Sequence, residues 1–125
     1  MSRACLTAGA LFGAAGVMLG AFGAHGLSTI LDERAQQIWD TAVLYHLIHA
    51  VALLATGSLG RAADAASLRV TGFAFGLGIA LFSGSLYALS LGGPSLLGPL
   101  TPIGGVCFIV GWLSLAWSQW RGRTS

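Results

Sequence analysis

Residues 5–27 read CLTAGALFGAAGVMLGAFGAHGL. The first twenty of these residues, Cys5–Ala24, carry no charge and match the length of a bilayer-spanning helix. Within the run Gly9, Gly13, Gly16, Gly20 and Gly23 step by four, three, four and three. That rhythm puts all five on one helix face. Lipid gives helices little hydrophobic reason to associate, so close backbone approach over small residues has to supply the attraction. The run therefore reads as a spanning helix with a packing seam. A cleaved signal peptide is the competing reading. Its apolar region is about 7–15 residues long, and this run exceeds that, so the expectation is a retained span.

The rest of the chain repeats the signal. Of 125 residues 55% are hydrophobic and 8% charged, against about 25% charged in a soluble domain. Mean hydropathy is +0.80. Three more uncharged apolar runs follow, at Ala42–Leu59, Val70–Leu91 and Ile103–Trp117. The expected fold is all-α: one domain, 1–125, forming an integral membrane four-helix bundle. Small residues recur at Gly72, Gly76 and Ala80 in the third run, and at Gly104, Cys107, Gly111, Ser114 and Ser118 in the fourth. They are read as further packing positions.

Arginine placement sets the expected orientation. Arg3, Arg61, Arg69, Arg121 and Arg123 fall on one side of a four-span topology, and Arg34 alone falls on the other, among Asp32, Glu33 and Asp40. Both termini are then expected in the cytoplasm. Trp117 and Trp120 beside Arg121 fit an interfacial anchor, and Trp39 suits the same role on the outer side. Leu27, Ile30, Leu31, Ala35 and Ile38 recur at helical spacing between polar residues. The expectation is a short amphipathic helix in the first outer loop, capped by Ser28 or Thr29. Pro102 suits a first helical turn. Net charge is +2 with no basic stripe, which gives no support to nucleic-acid binding. Cys5 and Cys107 fall on opposite sides of the membrane, too far apart for a disulfide.

Polar side chains inside spans carry the functional question. His25 ends the first run, beside a Gly26 expected to end the helix. His46 and His49 are three apart in TAVLYHLIHA, residues 41–50, and share a helix face. His46 is about 6 Å inside the outer end of its span at helical rise. Tyr87 and Cys107 are at similar depth. His25, Tyr45, His46, His49, Tyr87 and Cys107 thus read as one outer-leaflet polar layer. The first interpretation is a hydrogen-bond network that fastens helices and fixes their register. The second is a ligand site, for a metal, haem or quinone at His25, His46 and His49. The third is a small oligomeric transporter, weakened by the absence of any intramembrane carboxylate. No nucleophile motif surrounds Ser83, Ser85 or Ser90, so no enzyme and no catalytic residue are expected; no metal ligand is assigned outside the second interpretation, and the cofactor is left open.

Two segments also resemble a known family. GAFGAHGL, residues 20–27, is matched at Gly20, Gly23, His25, Gly26 and Leu27. IWDTAVLYHLIHAVALL, residues 38–54, is matched at Trp39, Thr41, Ala42, Tyr45, His46, His49 and Ala50. In combination they resemble the YgdD-like small inner-membrane proteins, classed as domain of unknown function 423. The likeness extends over the whole chain and implies a bacterial inner (plasma) membrane location with four spans. It implies no activity, substrate or cofactor. Expected partners are the bilayer and either further copies of the chain or another membrane protein.

Overall fold

A computed structural model describes residues 2–59 and 65–122. The chain runs through α1 (Ser2–His25), α2 (Glu33–Ser58), α3 (Ala65–Gly78), a π turn (Ile79–Ser83), α4 (Gly84–Ser90) and α5 (Leu100–Gly122). The π turn joins α3 and α4 into one rod. Four rods are long and apolar enough to cross a membrane: Arg3–His25, Glu33–Ser58, Ala66–Ser90 and Ser95–Arg121. No strand occurs among the described residues. Arg61 and Arg123, used above for orientation, lie outside them.

The glycine seam of α1 meets α2. A Cβ on Gly9 would come within 2.9 Å of Leu54 and 3.0 Å of the Ala50 carbonyl; one on Gly16 would press into Leu47 and one on Gly20 would reach Val43 at 3.2 Å. At Gly23 the space is filled by the Trp39 indole. The partners step backwards along α2 as the glycines step forwards, which defines an antiparallel pair in constant register. Gly13 differs: a Cβ there would meet nothing within 4 Å. It lies beside the seam. The third rod meets α5 in the same antiparallel manner, through Gly104 on the Phe82 backbone, Gly78 under the Phe108 ring and Gly111 under the Phe75 ring. Here the structure corrects the expected third-span seam. Gly78 makes the close approach to α5, while Gly76 only touches Phe12 of α1 at ordinary distance. Helix α2 also packs on the third rod and so joins the two pairs, and Cys5, Ala52, Leu53, Phe75, Ile79 and Phe108 form the apolar core. Cys5 and Cys107 are both free thiols.

The first loop departs from expectation. No separate amphipathic helix forms. Leu27–Leu31 makes tight turns, with Ile30 and Leu31 N–H groups donating to the Leu27 carbonyl at 3.0 and 2.9 Å. Helix α2 then starts at Glu33 and continues unbroken into the span. Its cap is Asp32, whose Oδ1 accepts from the Ala35 N–H at 2.8 Å; Ser28 and Thr29 lie upstream, in the turns. A carboxylate at that position satisfies an orphan N–H and opposes the positive helix end. No glycine or proline lies between Asp32 and Gly57 to stop the helix, so the amphipathic turns become an extension of α2. Trp39 is corrected with them. It is 2% exposed and seated on Gly23, and its Nε1–H donates to the Leu19 carbonyl at 2.9 Å. It ties α2 to α1 and is no surface anchor. Gly26 does follow the last residue of α1, but only Gly92, at φ 92°, adopts a left-handed backbone among the described residues. Gly26 instead donates its N–H to the Phe22 carbonyl at 2.7 Å.

Candidate functional site

Both histidines of α2 are buried, at 4% and 3% exposure, and each has both ring nitrogens hydrogen-bonded. Nε2 of His46 is 2.8 Å from the carbonyl oxygen of Phe12 on α1. A carbonyl only accepts, so Nε2 carries the proton. Nδ1 is then the acceptor of a neutral ring, and the Tyr87 hydroxyl on α4 donates to it at 2.8 Å. One imidazole thereby joins three helices. Gly16 makes the approach to α1 possible, since a Cβ there would lie 3.2 Å from His46 Cδ2. Trp39 packs on the Tyr87 ring at 4.7 Å between centroids and holds the phenol in place.

His49 has the opposite tautomer. Its Nδ1 lies 2.7 Å from the Tyr45 carbonyl, one turn earlier in α2, and therefore donates. Its Nε2 accepts from the Trp112 indole N–H on α5 at 3.0 Å. The imidazole also stacks on Phe108, with centroids 3.6 Å apart and planes 10° from parallel. Phe75 meets it edge-on at 5.4 Å. The Tyr45 ring packs against Phe82 at 4.7 Å, while the residue remains 39% exposed.

The single outer layer expected from sequence is therefore two junctions. His46 and Tyr87 form one with α1, and His49, Trp112 and the aromatic group form the other with α5. A spacing of three residues leaves roughly 60° between two side chains at about 100° per residue, enough for different neighbours to claim them. His25 joins neither. It is exposed at the end of α1, with no hydrogen bond or ring contact among the described residues. Cys107 faces a groove between α3 and α5, away from both imidazoles. Trp112, the Phe12 and Leu19 carbonyls and Phe108 are site members that the sequence reading missed. An indole N–H inside the fourth span was the one legible signal, because such a group needs an acceptor.

The chemistry these junctions permit is narrow. Neither imidazole is paired with a serine, cysteine or carboxylate that would make it a base for a nucleophile. The nearby Ser83 hydroxyl donates to the Ala42 carbonyl at 2.8 Å, tying the π turn to α2. Ser85 exchanges a 2.6 Å hydrogen bond with Thr101. Among the described residues no three His, Cys, Asp or Glu side chains converge as a metal-binding group. Tyr87→Phe should cost about 0.6–1.7 kcal/mol, the range for a hydrogen bond between membrane helices. Reversible unfolding in mixed micelles measures it, and a phenylalanine variant as stable as the native protein refutes the bond.

Residues 19–105 match the family described as protein of unknown function DUF423. The chain belongs to this family. The match covers Tyr45, His46, His49 and Tyr87 and leaves outside it their partners Phe12, Phe108 and Trp112. Similar relatives include the UPF0382 membrane protein YwdK of Bacillus subtilis, 43% identical over 108 residues that cover 86% of this chain and 88% of the relative. A UPF0382 membrane protein of Haemophilus influenzae is 41% identical over 124 residues, covering 99% of each chain. Another, from Staphylococcus epidermidis, is 43% identical over 107 residues, 86% of this chain and 87% of the relative. No solved structure matches. Four apolar rods and these relatives together make the chain a multi-pass membrane protein.

Proposed function

We propose that this protein is a non-catalytic accessory or interaction protein of the bacterial inner membrane, with both termini in the cytoplasm. On this reading the two histidines fix helix register, and the protein presents the resulting rigid surface to other membrane components. The observation that carries it is the use of all four ring nitrogens. His46 and His49 spend every donor and acceptor on Phe12, Tyr87, Tyr45 and Trp112 of the same chain. A metal or haem would first have to break one of those bonds. Arg3, Arg69 and Arg121 fall at one end of the bundle and support the orientation through the positive-inside rule.

The test is composition and colour. Protein purified in mild detergent should contain no stoichiometric metal and show no visible absorbance. His46→Ala and His49→Ala should change neither, and both should melt earlier. A bound metal or chromophore lost on replacing either histidine would replace this reading with the ligand site. A reporter fused at either terminus and found outside the cytoplasm would reverse the orientation.

A further inference from the structure

A groove of about 410 Å³ runs between α3 and α5. Val70, Phe73 and Leu77 line one wall, Val106, Cys107 and Val110 the other, and Arg69 lies at one end. The walls are hydrocarbon apart from the Cys107 thiol, and the one charged lining residue is Arg69 at the end. The antiparallel register set by Gly104 on Phe82, Gly78 on Phe108 and Gly111 on Phe75 carries Arg69 to the level of Trp117. Trp117 in turn lies beneath the Arg121 guanidinium, whose Cζ is 5.7 Å from the ring centroid. This end of the groove therefore brings an arginine of α3 to the height of a tryptophan–arginine pair of α5. That combination marks a membrane–water interface.

Charge selects the occupant. The described charged residues at this end of the bundle are Arg3, Arg69 and Arg121, while the described acids, Asp32, Glu33 and Asp40, are at the opposite end with Arg34. We infer that the α3–α5 groove is a binding site for an anionic phospholipid, with an acyl chain along Phe73, Leu77 and Val110 and the phosphate at Arg69. A planar guanidinium can offer a phosphate two parallel N–H donors, and basic pockets between membrane helices hold anionic head groups in this way. A free phosphate would use the arginine and leave the apolar walls without a role. The inference rests on the chain crossing a bilayer and is independent of what the histidines do.

The protein in nanodiscs of equal phosphatidylglycerol and phosphatidylcholine, released into the mass spectrometer, reports which lipid stays bound. Phosphatidylglycerol should be retained about fivefold over phosphatidylcholine, the ratio for about 1 kcal/mol per arginine at a membrane surface. Arg69→Gln should bring the two lipids to parity, and Arg3→Gln, on α1 and not among the residues lining the groove, should leave the preference intact. Val106→Trp, which fills the groove from an exposed position and keeps Arg69, should reduce retained lipid of both kinds. Equal retention by the native protein overturns the proposal. So does an Arg3→Gln effect as large as that of Arg69→Gln, which would make the preference a property of net charge. Unchanged retention in Val106→Trp overturns the groove as the seat of the chain.

Discussion

Gly104→Ala should destabilise the bundle by about 2–3 kcal/mol, the upper part of the range for overpacking a close contact. The added methyl would lie 2.8 Å from the Cα of Phe82 and closer still to its backbone nitrogen. A flexible side chain at that place would turn aside. Backbone inside a helical rod cannot, so α5 must move outward as a unit. Its other contacts with the rod, Gly111 under Phe75 and Phe108 over Gly78, would loosen with it. Gly13→Ala is the internal comparison. Its methyl has open space, and replacing a helical glycine by alanine gains about 0.5–1 kcal/mol. The two substitutions make the same chemical change in two spanning helices and should move unfolding in opposite directions. Denaturant titration in mixed micelles, followed by tryptophan fluorescence, measures both. Equal effects would show that the backbone approach at Gly104 is not holding α5.

Those two glycines also show what a sequence exposes. Small residues at heptad spacing mark a seam, and on α1 the seam is where the spacing puts it. Periodicity names a face and not a partner, so Gly13 and Gly9 look alike until α2 is in place. On the third span the series Gly72, Gly76 and Ala80 marks a different face from the one Gly78 turns to α5, and past Gly78 the helical phase itself changes. The π turn at Ile79–Ser83 adds a residue to one turn of the ladder. Positions counted forward from Gly72 at 3.6 residues per turn drift off their true faces beyond that point. No proline and no charge marks the place. Its consequences are visible only in space, where Ser83 reaches the Ala42 carbonyl and Phe82 offers its backbone to Gly104.

The first loop differs from its sequence pattern for another reason. Amphipathic periodicity over Leu27–Ile38 is real, but it does not say whether the turns form a separate helix or the start of the next one. Asp32, one of the charged residues interrupting that pattern, is the cap itself. At the site, the residue types were legible and their pairing was not. His46, His49, Tyr45 and Tyr87 stand out as polar groups in apolar runs. Half of what they bind, however, is main chain. The Phe12 and Tyr45 carbonyls carry no signature in a one-letter code, and helix geometry alone would have them satisfied already.

His49→Ala should be the most damaging change at either junction, at about 3 kcal/mol. It removes a ring stacked 3.6 Å from Phe108 and leaves a void among Phe75, Phe108 and Trp112; aromatic-to-alanine changes in cores cost about 3–5 kcal/mol. It also strands the Trp112 N–H. His49→Phe separates the two losses. A phenyl ring keeps the stack and most of the volume but accepts nothing from the indole. Its cost should fall to about 1 kcal/mol, within the range for one hydrogen bond between membrane helices. Trp112 is 44% exposed, so part of its surface faces lipid, where no water can replace the lost acceptor. Combining His49→Phe with Trp112→Phe should then cost less than the two single changes added together, because no unpaired N–H remains. Strict additivity would mean that the 3.0 Å contact between them contributes nothing. If His49→Phe costs as much as His49→Ala, the hydrogen bonds and not the stacked rings hold α5 to α2.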